Sequence, residues 1–199
     1  MWEIFFSHGE EDLDFVKRVF DILDRMGISC YVCKYYPEYG EYLPEIIKKN
    51  MNNECRTVIV LLTQNSAQSP WVNQEIGMAF ASGRLIIPIV ERGVETKGFV
   101  ELRQRIDYDR NIPEDAISDL IYRLRDLHPK NNIKLYCENE KCENHTKRFS
   151  VDLPPQEEIN NAIERNHVFG AQCPSCGRKN YFYPKTLEQE EIYRQYVQY

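Results

Sequence analysis

Thr57-Val58-Ile59-Val60-Leu61-Leu62, followed after a short turn by Ser69-Pro70-Trp71-Val72-Asn73-Gln74-Glu75, is the stretch on which the fold turns. The first run is continuously β-branched and aliphatic. That predicts a strand buried on both faces, as in a parallel sheet. The second run reads as a helix start. Ser69 offers a side-chain oxygen to cap free backbone N–H groups, and Pro70 brings a ring already set to helical φ. Trp71 and Glu75 fall one turn apart, so both project from one face near the helix N-terminus, where the helix dipole favours a carboxylate. Two readings of this pair stand open: a core tryptophan beside a solvated glutamate, or a carboxylate set in the wall of a site.

Upstream, Trp2 to Phe6 predicts a buried strand and Ser7-His8-Gly9 a break. Leu13, Val16, Val19, Phe20, Leu23 and Met26 recur at helical spacing, in a helix opened by Asp12 and stopped at Gly27. Ile28 to Cys33 reads as a second strand. A tyrosine-rich loop with Tyr35, Tyr36 and Tyr39 follows, then a helix carrying Ile46, Ile47 and Met51. Downstream of Glu75 the helix runs to Ala81 and Gly83 ends it. Leu85 to Val90 then predicts a strand, Ile106 to Tyr108 a short edge strand, and Pro113 to Leu127 a closing helix. Strands alternating with helices imply right-handed βαβ units and a parallel sheet covered on both faces. Ligands of such sheets gather at the carboxyl ends of the strands. Ser7-His8-Gly9, the tyrosine loop and the turn from Thr63 to Ser69 are therefore expected to converge on one cleft with Glu75 in its wall.

Bulk properties narrow the classes. The chain has 199 residues, 42% hydrophobic and 28% charged, enough for one ordinary domain and a small one. A net charge of −6 speaks against a general binder of nucleic acid or anionic membrane. No apolar run reaches membrane-spanning length and no signal segment leads the sequence, so the reading is cytoplasmic. In that compartment seven cysteines mean thiols or metal ligands rather than disulfides. Neither G-x-G-x-x-G nor G-x-x-x-x-G-K-[ST] is present, which argues against a redox dinucleotide and an NTPase. No G-x-S-x-G elbow accompanies Ser7 and His8.

Taken in order, these segments resemble a Toll/interleukin-1 receptor (TIR) domain between Met1 and Leu127. Ile4-Phe5-Phe6-Ser7-His8 with Asp12 is similar to the family's opening strand and turn. Tyr39-Gly40-Glu41 is similar to its glycine-centred loop, and Leu62 to Ser66 with Ser69 to Glu75 to its S-x-W…E segment. The resemblance implies a flavodoxin-like, five-stranded parallel sheet. It also implies an NAD⁺ glycohydrolase with Glu75 as the catalytic residue and NAD⁺ as substrate, not as redox cofactor. Ser69 and Trp71 would shape the pocket, Ser7, His8 and Gly9 would line the substrate, and Tyr35, Tyr36 and Tyr39 would stack on it or cover it. Hydrolysis to ADP-ribose and cyclisation to a signalling nucleotide are both open. Also implied are self-association between TIR domains and a role in prokaryotic immunity. The alternative is an adaptor that assembles without turnover. His8, Gly9 and Cys33-Lys34 depart from the family pattern, leaving the Ser–Trp–Glu segment intact.

Beyond a linker at 129–132 the composition changes. Cys137-x₄-Cys142 is followed, after thirty residues, by Cys173-Pro174-Ser175-Cys176-Gly177. Two such pairs predict a zinc-ribbon-like domain over 133–184, with one structural Zn²⁺ held by four thiolates. His145 is a rival ligand to Cys142. Pro154 and Pro155 begin a short helix with Ile159 and Ile163, and 185–199 reads as a C-terminal helix or tail. From Asn132 to Pro184 seven basic residues face seven acidic ones, so no nucleic-acid footprint stands out and a protein partner fits the tail better. Cys30-x₂-Cys33 lies in a strand rather than at a helix N-terminus, and reads as core rather than a redox dithiol, with Cys55 likewise core.

Overall fold

The computed structural model describes residues 3–32, 51, 55–101, 103–128 and 131–190. The chain forms two compact units, Met1–Asp24 with Ile28–Ala116, and Arg25–Gly27 with Ile117–Tyr199.

The first unit is built on five strands: β1 (Ile4–Ser7), β2 (Cys30–Tyr31), β3 (Thr57–Leu62), β4 (Leu85–Glu91) and β5 (Ile106–Tyr108). They lie in the order β2-β1-β3-β4-β5, and every pairing is parallel. This is the flavodoxin-like order, whose switch point lies between β1 and β3. The continuous apolar run of β3 has the place its composition demands, hydrogen-bonded on both sides and buried at all six residues. Side chains alternate across the sheet. Phe5, Val58, Val60 and Ile86 pack with Val72, Ile76 and Ala79 of helix α2 (Pro70–Ala81). Ile4, Phe6, Ile59 and Leu61 are buried on the opposite face. There Phe15 of helix α1 (Leu13–Arg25) meets Tyr108 of β5 at 4.6 Å. A 3₁₀ turn, Glu10–Asp12, precedes α1, so the helix proper opens one residue later than the sequence suggests. Helix α3 (Pro113–Leu127) starts in the first unit and enters the second at Ile117.

Strand β2 is shorter than the Ile28–Cys33 reading. The ladder with β1 covers Cys30 and Tyr31; just before it the Ser29 carbonyl accepts from the Glu3 and Ile4 N–H groups, and the Ser29 N–H goes to the Glu3 carboxylate at 3.0 Å. Cys33, Tyr35, Tyr36, Tyr39, Ile46 and Ile47 lie outside the described residues, whereas Met51 is buried.

The second unit carries two antiparallel hairpins, β6 (Asn132–Leu135) with β7 (Phe149–Asp152), and β8 (Phe169–Gln172) with β9 (Lys179–Phe182). Helix α4 (Asn144–Lys147) lies between the strands of the first hairpin, and α5 (Gln156–Glu164) between the two hairpins. One expectation needs correction: Asn132 already pairs with Asp152, so the linker reading overran into a strand. In the stretch read as a C-terminal helix or tail, the described residues open on a turn, with Leu187 at φ +58°, Gln189 bridging Phe182 and Glu190 helical. Gln189 accepts from the Tyr136 N–H at 2.6 Å and donates to the Tyr136 carbonyl at 2.9 Å. Residues from 191 onward lie outside the described set. Among the described residues no helix is long and apolar enough to cross a membrane.

Candidate functional site

Ser69 caps α2 as its residue type dictates, accepting the Val72 N–H at 3.4 Å in extended backbone (φ −66°, ψ 120°). Asn73 reinforces the start by donating to the Ser69 carbonyl at 2.9 Å. The cap fixes the direction of the first turn, and Glu75 follows with its side chain turned inward. Only 4% of Glu75 is exposed, so the solvated reading does not hold. Its carboxylate accepts a short hydrogen bond from Ser7 Oγ, at the carboxyl end of β1. The Trp71 side chain supplies a second hydrogen bond. Burial pushes the Glu75 carboxyl up to about 7, against the lowering pull of those two donors. A buried carboxylate able to change charge near neutrality, with no basic group among the causes of its shift, is a marker of a functional site.

The structure thus brings Glu75, Ser7 and Trp71 together. Ser69 acts on the group through the helix start. His8 follows Ser7 along the chain, with Nδ1 2.7 Å from the Gly9 carbonyl and its ring edge-on to Phe6. Gly9 is packed tightly: a Cβ built there would lie 2.9 Å from Cβ of Ser66. Tyr35, Tyr36 and Tyr39 are outside the described residues. A cavity of about 600 Å³ opens beside Asn73 and Ile76 of α2, and Glu75 is not part of its lining.

One network escaped the sequence reading. Asp12, buried just after β1, accepts from Thr63 Oγ1 at 2.9 Å and from Arg110 Nη2 at 3.1 Å. Arg110 also donates to Glu91, which accepts the Gln64 N–H at 2.9 Å. Ser66 Oγ accepts the Thr63 N–H at 2.7 Å and donates to the Leu61 carbonyl at 2.8 Å. The segments leaving β1, β3, β4 and β5 are thereby tied together at the end of the sheet that carries Ser7. The available signal was an acidic residue a few positions after the first strand. Its partner Arg110, 98 residues away, leaves no local trace.

In the second unit the Sγ atoms of Cys137, Cys142, Cys173 and Cys176 all lie within 4.8 Å of one another. Cys137 and Cys176 are 3.4 Å apart, and Cys142 and Cys173 are 3.7 Å apart. A tetrahedron with metal–sulfur bonds of about 2.3 Å has edges of about 3.8 Å, so the set is suited to hold a metal. His145 is not part of the cluster, because its Nδ1 lies 2.8 Å from the Cys137 carbonyl. Asn144 donates to Cys173 Sγ at 3.3 Å. Burial pushes the Cys173 thiol up, but Asn144 and the Ser175 and Cys176 backbones outweigh it and bring the thiol down to about 6. Cys30 and Cys55 are buried in the first unit. Burial, with Cys55 beside it, pushes the Cys30 thiol far up, which leaves it unreactive.

The TIR domain family model matches residues 4–121. No curated protein matches the chain. Among solved structures, the TIR domain of the Toll-related receptor TRR-2 from Hydra magnipapillata is similar at 21% identity and a TM-score of 0.54, over 63% of this chain and 99% of that one. Weaker likenesses are the TIR domains of the activated Roq1 resistosome recognising the effector XopQ, and the Clostridium botulinum CMP N-glycosidase BcmB. The first has 16% identity, TM-score 0.42 and coverage of 64% and 72%; the second has 18%, 0.45 and coverage of 60% and 98%. With the family model spanning more than half of the sequence and the sheet in flavodoxin-like order, the chain belongs to the TIR domain family.

Proposed function

We propose that the first unit is an NAD⁺ glycohydrolase with Glu75 as its catalytic carboxylate. The observation that carries this reading is the burial of Glu75 against Ser7 and Trp71, which supports a site rather than a solvated helix end. The chemistry suits one carboxylate. Most glycoside hydrolases use two, because an alkoxide leaving group must be protonated. In NAD⁺ the bond from ribose C1′ to the pyridinium nitrogen breaks with its electron pair passing to nitrogen, so nicotinamide departs neutral and no general acid is needed. The positive charge then develops on the ribose as an oxocarbenium. An ionised Glu75 holds that charge, and Ser7 holds Glu75. One well-placed electrostatic group is worth roughly 3–4 kcal/mol in the transition state. Attack by water at C1′, with loss of a proton, gives ADP-ribose; attack by a hydroxyl or ring nitrogen of the same molecule gives a cyclic product.

Cys137, Cys142, Cys173 and Cys176 hold Zn²⁺ in this reading. A closed four-thiolate site supplies folding energy, on the order of 10 kcal/mol, rather than catalysis. Chromatography of NAD⁺ incubated with concentrated full-length protein tests the activity. Nicotinamide together with ADP-ribose or a cyclic product is the expected outcome, and unchanged NAD⁺ contradicts it.

An assembly module without turnover is the second reading. Phe80 and Phe99 favour it: they stack at 4.0 Å while 45% and 50% exposed, an apolar pair on the surface of the first unit. Nicotinamide release alongside light scattering separates the two readings, since a scaffold forms higher oligomers and leaves NAD⁺ unchanged.

A further inference from the structure

The four clustered cysteines come from two loops far apart in sequence, and Asn144 touches both. It opens α4, two positions after Cys142, and is buried. Its carbonyl accepts the Cys137 N–H at 3.0 Å, and its own N–H donates to the Cys142 sulfur. Its side chain meets the other loop, 29 positions away, where Nδ2 donates to Cys173 Sγ at 3.3 Å. Asn144 thus reaches three of the four cysteines, two through its main chain and one through its amide.

The direction of that amide is fixed by its neighbours. Nδ2 carries two hydrogens. One goes to Cys173, and the other to Ser175 Oγ at 2.9 Å. Ser175 gives its own hydroxyl hydrogen to Glu143 Oε1 at 3.1 Å, and Glu143 is held by Lys147 at 3.1 Å. Donation therefore runs one way, from Asn144 through Ser175 to a carboxylate. A reversed amide would set Oδ1 against the sulfur and against a hydroxyl whose hydrogen is already used. Asn144 and Cys173 are both buried, so water does not compete for the bond. A donor to an ionised sulfur is also a stronger partner than one to a neutral group.

We propose that Asn144 is a positioning residue of the metal site. Its amide draws the Cys173 thiolate towards the Cys137–Cys142 loop and takes up part of its charge, while Ser175 and Glu143 keep the amide facing that way. Four thiolates carry more negative charge than a divalent ion cancels, and donors to sulfur spread the excess. Loss of this donor leaves the site with a weaker hold on its metal. The proposal rests on the reading of Cys137, Cys142, Cys173 and Cys176 as a metal site, and not on the glycohydrolase reading.

Two measurements on the full chain test it: titration with Co²⁺, whose bonds to thiolates give a charge-transfer band, and competition for Zn²⁺ with a chromophoric chelator. Asn144→Asp keeps the shape and the main-chain contacts, lacks the donor and adds a like charge beside the sulfur. In this variant and in Asn144→Ala, Zn²⁺ affinity is expected to fall by roughly 10–100-fold. The charge-transfer band is expected to move to longer wavelength, because a thiolate without its donor gives up an electron more easily. Ser175 is exposed, so Ser175→Ala spares the fold and decides the matter alone should the Asn144 variants not fold. Its affinity is expected to fall less, with the band moving the same way. Equal affinity in wild type and variants overturns the positioning role while leaving the metal site standing. So does weaker binding with an unmoved band, which would make Asn144 a purely structural part. A wild type that takes up neither metal overturns the metal reading, and this proposal with it.

Discussion

Glu75 is protonated more readily in the folded chain than in the unfolded one, because burial raises its carboxyl from the ordinary 4.5 to about 7. Between those values the folded state holds the extra proton, so stability falls as pH rises through this window and is level above it. The difference amounts to roughly 3 kcal/mol. Glu75→Gln keeps the shape and cannot ionise. It is expected to be more stable than the wild type at pH 8, with the gap closing towards pH 4.5, as read from urea midpoints at the two pH values. Activity runs the opposite way, since the ionised form stabilises the oxocarbenium. The rate of nicotinamide release at low NAD⁺ is expected to climb with pH to a plateau, half-maximal near 7. Ser7→Ala removes a donor to the ionised form and is expected to move that midpoint upward while lowering the rate at pH 7 by tenfold or more. The sequence made Glu75 a candidate through the Ser-Pro helix start and the one-turn spacing from Trp71. Its burial against Ser7 could not be read, because the two residues are 68 positions apart.

Elements of this sheet end in a polar network, and Gly9 is its tightest point. A methyl group there would press on Ser66, whose hydroxyl spans Thr63 and Leu61. Gly9→Ala is therefore expected to destabilise the first unit by about 1–3 kcal/mol in chemical denaturation. Asp12→Ala leaves the Thr63 hydroxyl without its buried acceptor, while the half-exposed Arg110 keeps Glu91, and is expected to cost about 1–3 kcal/mol by the same measure. The parallel sheet, the buried run of β3 and the α2 cap were legible from local pattern: alternating strands and helices, unbroken apolar residues, or Ser-Pro before an amphipathic turn. The flavodoxin-like arrangement, in contrast, came with the family resemblance. The length of β2 and the turn at 186–189 were not legible, because their side-chain to main-chain bonds, Glu3 to Ser29 and Gln189 to Tyr136, join residues 26 and 53 positions apart. Arg148 in a glycine-type conformation belongs with them, as residue type gave no hint of it.

At the scale of the whole molecule, the chain joins a sheet unit with a large apolar core to a hairpin unit organised around four cysteines. In the second, a metal at the four cysteines would tie the segments around Cys137–Cys142 and Cys173–Cys176 together and add to stability. Elemental analysis is expected to give about one zinc per chain. Removal by a strong chelator is expected to unfold 132–190 while leaving the sheet unit's transition in place, and Cys173→Ser is expected to do the same. The spacing of the cysteines made this cluster legible from sequence, because metal geometry constrains ligands that are close along the chain as well as in space. The activity assigned to the other unit rests on a single carboxylate, and its most direct test is nicotinamide release from NAD⁺ by concentrated wild-type protein and by Glu75→Gln, side by side, both shown to be folded. Release by the wild type that falls at least a hundredfold in the variant is the expected result; equal release by both, or none from either, contradicts the account.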